Sequence, residues 1–499
     1  MTNMELPISR NYDQERAEKK RKWACRLLFL CHCLALFCIG WVISSLFANK
    51  YFPASVLTMD DPSNYRNFLH SDFHTYVFGW SRPASSALIW VAFTLCHADA
   101  LKLQLFETGM FALFLVSFFV LLYAVAKNYF VSWFFSIAII FSRLNWYFMI
   151  AVLGMMESLA LMSCCFCAAF LIYFIKTRKI WYLLPSFLFY ALAFLSHERY
   201  FIIGVFLVFF AIVRARGIWL KLLIAILPIA AFGAFYYFRT VVLGIPFWVV
   251  TGRTAISLDI EFLLNHFRNI LTNTIGFDVD DIWYAGYSNF LLKGNEWHVQ
   301  LFSYPALALL VCWFPLEIRY IIDKDAGGFW TGLLLLGFCF SLAAAGSVSP
   351  ERVEMRWVFS AQVYVFALLA YSLNIFFDHQ FVRTKERKKA AWVLKTTGVL
   401  IALVLSCSFQ NSNVFFVQNK TAFYLDNEQS TMDMIYSATI IPMKLENKDH
   451  LWVSTSNDFA HFVEDVLIQS DELKSYFIST PANPIPRPAE TEIYYYVTL

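Results

Sequence analysis

Charged residues are scarce in this chain of 499 residues: they make up 15% of it, whereas 59% is hydrophobic and 19% is aromatic. A soluble domain carries about 25% charged residues because its surface must stay hydrated, so the low fraction excludes an ordinary soluble protein. Apolar runs of about 20 residues recur along the chain, which is the length an α-helix needs to cross ~30 Å of hydrocarbon. The composition therefore predicts an all-α polytopic membrane protein. We expect membrane lipids as partners and no nucleic acid.

Cysteine is absent after Cys407, and the eleven cysteines up to that point lack zinc-like spacing with histidines. Most of them lie inside apolar runs, which is typical of small packing residues rather than of a disulfide framework. A cleavable signal peptide is also not predicted. The first apolar run, about Cys25 to Phe47, is too long, and no A-x-A-like site follows it. The sequence shows no repeat of fixed period and no low-complexity segment.

Basic clusters orient the apolar runs, because cytoplasmic loops of membrane proteins are enriched in Lys and Arg. Residues 1–24 end in a run of four basic residues, which predicts a cytoplasmic N-terminus. An arrangement of about eleven helices within residues 25–410 puts every dense basic cluster inside. The predicted spans are about 25–47, 105–126, 130–150, 156–175, 181–195, a sixth ending at Arg214, 220–238, 301–322, 328–346, 356–377 and 392–410.

The regions outside these spans are predicted to be external or interfacial. External loops are expected at about 48–104 and 240–300, and residues 411–499 are expected to form a small extracytoplasmic C-terminal domain. A shorter apolar segment at 84–101, broken by His97 and Asp99, is expected to be a re-entrant or interfacial helix.

Ionisable residues from several separate segments fall on the external membrane edge in this topology. Such residues are costly near lipid and are a default indication of function. The set is Asp60, Asp61, Glu157, His197, Glu198, Arg199, Asp278, Asp280, Asp281, Arg352, Glu354 and Arg356.

The acidic pair Asp60-Asp61 in the first external loop suits a general base, since a carboxylate can take a proton from an attacking hydroxyl or amine. A turn or helix cap before Pro62 is the structural alternative. Glu157 opens the fourth span, where it is either a second carboxylate near the base or a first-turn residue favoured by the helix dipole.

Arg352 and Arg356 are four residues apart on a predicted helix and therefore share a face, as a fork for phosphate would require. Alternatively, the two arginines form ion pairs with the neighbouring Glu351 and Glu354.

The run His197-Glu198-Arg199 lies between two spans. It suits substrate binding or metal binding, or it forms a cluster of ion pairs. The acids Asp278, Asp280 and Asp281 are candidates for a divalent cation or, beside Trp283 and Tyr284, a sugar. A solvated loop is the alternative. No cofactor is predicted with certainty.

The order of these features resembles the GT-C superfamily of integral membrane glycosyltransferases, which includes protein O-mannosyltransferases and lipid A aminoarabinose transferases. Four places carry the resemblance: Asp60-Asp61 in the first external loop, Ser81-Arg82-Pro83 before a short apolar segment, Glu157 after Ser142-Arg143, and the run Ala193 to Arg199. Three features depart from the family pattern. The usual Asp-Glu pair is Asp-Asp here, the His-Pro-Pro element of the O-mannosyltransferase branch is missing, and the external C-terminal region is small.

This resemblance implies a polyprenyl-phosphate-linked sugar donor, an acceptor (glycan, lipid or protein) on the external face, and an inverting single displacement. Asp60 or Asp61 would be the base, Arg352 or Arg356 would hold the donor phosphate, and Arg82 is a further candidate for substrate binding. Competing functions are a polysaccharide polymerase or O-antigen ligase, and a lipid or glycan transporter, which Arg143 and Pro185 leave open. A bacterial inner membrane is the expected location, with the endoplasmic reticulum as the alternative.

Overall fold

The computed structural model of the chain consists mainly of α-helices at the positions of the apolar runs. It describes residues 7–51, 64, 67–69, 71–79, 82–97, 99–244, 259–276, 297–322, 326–348, 355–379, 388–419, 450–454, 475–479, 484 and 494–498. The α-helices are α1 (Pro7–Tyr51), α2 (Phe73–Phe78), α3 (Pro83–Cys96), α4 (Ala100–Ala126), α5 (Tyr129–Ala138), α6 (Tyr147–Ile150), α7 (Gly154–Thr177), α8 (Leu183–Ser196), α9 (Ile203–Arg214), α10 (Ile218–Tyr237), α11 (Ile260–Thr274), α12 (Trp297–Ile322), α13 (Ala326–Ser347), α14 (Met355–His379) and α15 (Lys388–Asn419). The 3-10 turns are Ile139–Phe141, Ile180–Tyr182 and Glu198–Ile202, and Phe238–Val242 is a π-helical turn.

Six helices within these ranges are long and apolar enough to cross a membrane: Glu18–Lys50, Leu101–Ala126, Gly154–Thr177, Gly328–Ser347, Met355–Ile375 and Trp392–Asn411. Shorter apolar helices accompany them, including Pro83–Cys96 and Ile180–Ser196. The prediction of an integral, multi-pass, helical membrane protein is confirmed, whereas the number eleven stays a prediction.

The centre of the bundle is formed by α4, α7 and α14. Helix α7 packs against α4 and α8, and α14 packs against α13 and α4. Phe359 of α14 illustrates the contact, since its ring centroid lies 4.8 Å from that of Phe148 and 5.9 Å from that of Phe114 in α4. Side-chain packing of this kind drives helix association where both lipid and protein are apolar.

Basic side chains close one end of this bundle. Lys176 Nζ donates to the Ala124 carbonyl oxygen at 2.7 Å, and Arg214 Nη2 donates to the Ile175 carbonyl oxygen at 2.9 Å. Both carbonyls lie at helix C-termini, which have no partner within their own helix and attract cations. The candidate site lies at the other end of α7.

The junction between α3 and α4 confirms the predicted break at His97 and Asp99. His97 adopts a positive φ of 54°, and the Asp99 side chain accepts a hydrogen bond from the Lys102 backbone N–H at 3.0 Å, which caps α4. Since a cap forms here, α4 begins at Ala100 rather than at about 105 as predicted.

The prediction of one continuous helix over 130–150 is wrong. Helix α5 ends at Ala138, a 3-10 turn follows, and α6 resumes only at Tyr147. The intervening turn is buried, and the Asn145 side chain donates to the carbonyl oxygens of Ile139 and Ile140 at 3.0 and 2.8 Å. The side-chain amide thus replaces the helical partners that these carbonyls lose at the break.

Two elements appear where the sequence analysis expected loop or mixed structure. Helix α11 lies within the loop expected at 240–300, capped by the Asp259 side chain, and packs on α13 and α14. In the C-terminal region, strands β1 (His450–Ser454), β2 (Ser475–Ser479) and β3 (Tyr494–Thr498) form a parallel sheet in the order β2-β1-β3. Because the paired strands lie far apart in the chain, no local sequence pattern predicted this sheet.

Candidate functional site

Glu157 lies at the centre of a group of charged side chains where α7 begins. Its side chain is fully buried, and Oε2 accepts hydrogen bonds from Arg199 Nη2 at 2.6 Å and from Tyr200 Oη at 3.4 Å. Its other oxygen, Oε1, lies 3.4 Å from His197 Nε2 and 3.7 Å from Arg356 Nε. The first turn of a helix favours a carboxylate because of the helix dipole. Here the carboxylate also connects α7 with the turn that follows α8 and with the start of α14.

Arg199 connects this carboxylate to α14. Its side chain is 5% exposed, and Nη2 also donates to Ser360 Oγ at 3.2 Å and to Tyr200 Oη at 3.3 Å. Tyr200 Oη and Ser360 Oγ are 3.0 Å apart, so these groups form a closed network. The guanidinium carbon lies 5.8 Å from the Trp357 ring centroid. A buried guanidinium held by a carboxylate and two hydroxyls is well suited to fixing helices relative to one another.

His197 ends α8 and caps the 3-10 turn that follows it. Its Nδ1 accepts a hydrogen bond from the Arg199 backbone N–H at 3.2 Å, so the ring proton is assigned to Nε2, which faces Glu157. Burial and then the charge of Arg82 lower the pKa of His197 well below its usual range. The imidazole is therefore neutral near pH 7 and does not act as a cation.

Arg82 and Glu198 form a bidentate ion pair beside this group. Arg82 Nε and Nη2 donate to the two carboxylate oxygens at 2.7 and 2.6 Å, and the side chains are 21% and 34% exposed. Burial acts to raise the pKa of Glu198, but Arg82 outweighs it and holds that pKa well below the usual range. Ser85 Oγ lies 3.0 Å from both the Arg82 and Ser196 carbonyl oxygens, which fixes α3 against the end of α8.

Arg356 is the second residue of α14 and reaches the same place from the opposite side. Its side chain is 16% exposed, and the guanidinium carbon lies 4.2 Å from the Tyr147 ring centroid. The predicted fork with Arg352 is only partly described, because Arg352 lies outside the described residues. Glu157 of α7 is a described partner of Arg356, whereas Glu351 and Glu354, the alternative partners, lie outside the described residues.

These groups form two layers that we name by their exposure. The floor consists of the buried residues Glu157, Arg199, Tyr200 and Ser360. The rim consists of the partly exposed residues Arg82, Glu198 and Arg356. Arg239, which is 2% exposed, interacts electrostatically with both Arg82 and Glu198. Among the described residues, this group holds four guanidinium groups and two carboxylates, and a concentration of arginines of this kind favours an anionic ligand.

The structure brings together six of the residues that the sequence analysis selected: Arg82, Glu157, His197, Glu198, Arg199 and Arg356. The other candidates lie outside the described residues: Asp60, Asp61, Asp278, Asp280, Asp281, Arg352 and Glu354. Among the residues that are described, no group of three or more His, Cys, Asp or Glu side chains could hold a metal ion.

Several contributors were missed from sequence. Tyr147, Tyr200 and Ser360 are neutral and occur in apolar runs, so no local signal marked them. Arg239 follows the predicted seventh span and could have been found by the same membrane-edge criterion as the others.

Comparison with known proteins gives a result at the level of fold. No family model and no curated protein matches the chain. The apo structure of ArnT from Cupriavidus metallidurans superposes with a TM-score of 0.50 at 12% identity, covering 93% of this chain and 86% of that one. The structure of the same protein bound to undecaprenyl phosphate superposes with a TM-score of 0.46 at 12% identity, covering 92% of this chain and 86% of that one.

The oligosaccharyltransferase of Archaeoglobus fulgidus in the apo form gives a TM-score of 0.47 at 14% identity. It is covered over 65% of its length, and the match includes 91% of this chain. ArnT and this oligosaccharyltransferase are both membrane glycosyltransferases of the GT-C superfamily. The similarity to apo ArnT extends over nearly all of this chain, which shares the fold of that protein.

Proposed function

We propose that the protein is a membrane glycosyltransferase that moves a sugar from a polyprenyl-phosphate-linked donor to an extracytoplasmic glycan, lipid or protein acceptor. The observation that carries this proposal is the gathering of four described arginines, Arg82, Arg199, Arg239 and Arg356, around Glu157 and Glu198 at one end of the bundle. The fold shared with apo ArnT supports it. An enzyme of this kind must bind an anionic lipid headgroup at a membrane edge.

Arg356 is the side chain best placed to meet the donor phosphate. It is partly exposed and lies in the first turn of α14, at the same end of the bundle as the Arg82–Glu198 pair. Guanidinium groups bind phosphate oxygens through paired N–H donors. Since the phosphate gains negative charge as it leaves the sugar, a fixed cation here would stabilise the transition state more than the ground state.

Asp60 or Asp61 is the proposed general base. The carboxylate would take a proton from the acceptor hydroxyl or amine as its oxygen or nitrogen attacks the anomeric carbon. The bond between that carbon and the phosphate oxygen breaks, and the electron pair leaves with the polyprenyl phosphate. Because attack and departure occur on opposite sides, the configuration inverts. Glu157, expected as a catalytic candidate, is assigned here to positioning Arg199 and Arg356, since it is fully buried between them.

Binding of a divalent cation by Asp278, Asp280 and Asp281 stays a prediction. The same applies to a cytoplasmic N-terminus, an extracytoplasmic C-terminus and a bacterial inner membrane. A polysaccharide polymerase or O-antigen ligase stays the enzymatic alternative.

A transporter is the non-enzymatic alternative, and the break between α5 and α6 favours it. Transporters place substrate sites at interrupted helices, and Arg143 lies in this interruption, 3% exposed, donating to Asn273 Oδ1 at 2.9 Å. The described arginines gather elsewhere, around Glu157 and Glu198, and we therefore prefer the transferase.

Transfer of a lipid-linked sugar by the purified protein in detergent tests the proposal. We expect Asp60→Asn or Asp61→Asn to lower turnover by about 100-fold or more, as loss of a general base does. The matched control is Asp72→Asn in the same region, because Asp72 caps α2 through its side chain and Asn is an equally good cap. Full activity in both test variants would refute the assignment of the base. Failure of the wild-type protein to bind polyprenyl phosphate would refute the function.

A further inference from the structure

The end of the bundle opposite the candidate site carries basic residues in segments that contain no acids. Residues 108–156, 158–197 and 199–258 include neither aspartate nor glutamate. The basic residues at this end include Lys127, Arg178, Lys179, Arg216 and Lys221. All of these except Lys221 are exposed, and Lys221 is partly exposed. Their own segments cannot neutralise them, so this end presents a concentration of positive charge.

Two turns at this end share the pattern Arg-x-Ile-Trp. Residues 178–181 (Arg-Lys-Ile-Trp) join α7 to α8, and residues 216–219 (Arg-Gly-Ile-Trp) join α9 to α10. The two tryptophans are 73% and 82% exposed, and the two isoleucines are 46% and 62% exposed. Each turn therefore places an exposed cation beside two exposed apolar side chains.

The two turns are held close to each other by the helices that they connect. Arg214 Nε and Nη2 lie 3.3 and 2.9 Å from the Ile175 carbonyl oxygen, which joins the end of α9 to the end of α7. The Arg178 backbone N–H donates to the Phe174 carbonyl oxygen at 2.7 Å. Only residues 178–179 and 215–217 separate the helical segments. The cations therefore project from backbone that packed helix ends hold in place.

This combination of side chains matches an anionic phospholipid. Arginine and lysine attract negatively charged headgroups, and guanidinium groups bind phosphate oxygens through paired N–H donors. Exposed tryptophans of membrane proteins lie at the level of the headgroups. Directly beyond the turns, Leu184 of α8 and Leu222 of α10 are 67% and 44% exposed, as a surface for acyl chains would be. A soluble acidic partner would match the cations but not these apolar side chains.

We propose that the two Arg-x-Ile-Trp turns bind an anionic phospholipid, with its phosphate between Arg178 and Arg216 and its acyl chains along α8 and α10. The lipid belongs to the leaflet at this end, which the sequence analysis predicts to face the cytoplasm. The site is separate from the candidate site, and the proposal does not depend on the proposed function.

The test compares binding of phosphatidylglycerol and phosphatidylcholine with the same acyl chains to purified full-length protein in a neutral detergent, by native mass spectrometry. Both lipids carry a phosphate, but only phosphatidylglycerol has a net negative charge. We expect the wild-type protein to bind phosphatidylglycerol at least about 10-fold more tightly. This preference should decrease as the salt concentration rises, because salt screens exposed charges.

Removal of the two arginines tests the site directly. Arg178→Asn/Arg216→Gln should weaken binding of phosphatidylglycerol by about 30-fold, or about 5-fold for each charge removed. Asparagine is chosen at position 178 because that residue has a φ of 56°, which asparagine tolerates. Arg178→Lys/Arg216→Lys retains both charges and should retain most of the binding. If the first variant does not fold, Lys179→Gln/Lys221→Gln removes two charges from the same turns.

Two controls separate this site from charge elsewhere and from the candidate site. Lys102→Gln/Lys395→Gln removes two exposed cations outside the turns, one beside Asp99 at the start of α4 and one on α15. This variant should bind phosphatidylglycerol as the wild-type protein does. Saturating undecaprenyl phosphate should not displace phosphatidylglycerol, because the proposed donor site lies at the other end of the bundle.

Four results would overturn the inference. Equal affinity of the wild-type protein for the two lipids would mean that the turns do not select negative charge. Unchanged binding in the folded variants that lack two charges of the turns would mean that the lipid binds elsewhere. An equal loss in Lys102→Gln/Lys395→Gln would mean that only total charge matters. Displacement by undecaprenyl phosphate would place the lipid at the candidate site. Each of these results leaves the proposed function standing.

Discussion

Replacement of Glu157 by glutamine should destabilise the protein strongly, because the charge that it removes is fully buried. The carboxylate has no exposed surface, and its nearest partner, Arg199, has a side chain only 5% exposed. Removing one member of a buried ion pair leaves the other charge unpaired, at a cost of about 3–5 kcal/mol. Glutamine retains the shape and one oxygen that can accept from Arg199, so we expect the lower part of this range.

The rim provides a matched comparison within the same site. Glu198 also pairs with an arginine at 2.6 Å, but its side chain is 34% exposed and that of Arg82 is 21% exposed. Water screens such a pair, and exposed pairs contribute about 1 kcal/mol or less. Glu157→Gln and Glu198→Gln make the same chemical change, so the difference between them isolates burial.

The assay is thermal unfolding of each purified variant in the same detergent, followed by intrinsic fluorescence. Unfolding of such proteins is commonly irreversible, so all variants are compared at one heating rate. We expect the apparent Tm to fall by on the order of 3 °C for Glu157→Gln and by about 1 °C or less for Glu198→Gln, because a chain of 499 residues has an unfolding entropy of about 1 kcal/mol/K. The double variant Glu157→Gln/Arg199→Gln should recover part of the loss, since it removes the unpaired charge.

Equal shifts for Glu157→Gln and Glu198→Gln would refute the distinction between floor and rim. A double variant that is less stable than Glu157→Gln alone would refute the argument from an unpaired charge. The Arg199 side chain would then stabilise the fold through its contacts with Tyr200 and Ser360 rather than through the carboxylate.

Two other predictions concern the same end of the bundle. Burial and then Arg82 lower the pKa of His197, so the unfolded chain binds this proton more readily. Its contribution to stability should be complete above about pH 6.5 and decline by at most about 1.4 kcal/mol per pH unit below it. His197→Asn should remove that slope in thermal unfolding between pH 5 and 8, and an unchanged slope would assign it to another group. Gly154→Ala should cost about 1–3 kcal/mol because the new methyl group meets the Tyr147 carbonyl oxygen. Gly233→Ala in α10, whose added Cβ meets nothing within 4 Å, should not destabilise, and equal unfolding temperatures for these two variants would contradict the close contact.

The gathering of charges at one end of the bundle could be predicted from sequence. Helices that alternate in direction put the start of α7, the end of α8 and the start of α14 on the same side of the membrane. Glu157, Arg199 and Arg356 occupy these three positions, and charged groups beside lipid are retained when they find partners. Apolar length and the distribution of basic residues were sufficient for that step.

The pairing within the site could not be predicted in this way. Local sequence suggests partners three or four residues apart, but Arg82 and Glu198 are 116 residues apart, and Arg356 pairs with Glu157 of a different helix. Such pairs depend on which helices are neighbours. That arrangement is decided by packing among apolar side chains, which the sequence presents as nearly uniform runs.

The break before Tyr147 shows the same limit most clearly, because residues 129–153 contain neither proline nor glycine. A helix in an apolar environment can be interrupted only where its freed backbone groups find new partners. Asn145 supplies them to the carbonyls of Ile139 and Ile140, while Ser142 donates to Gln362 of α14 at 2.6 Å. The break is therefore stabilised by side-chain hydrogen bonds, local ones from Asn145 and one from Ser142 to α14, rather than made by a helix-breaking residue. The break also brings Tyr147 into contact with Arg356. The same feature that made the helix prediction wrong therefore contributes to the structure of the rim.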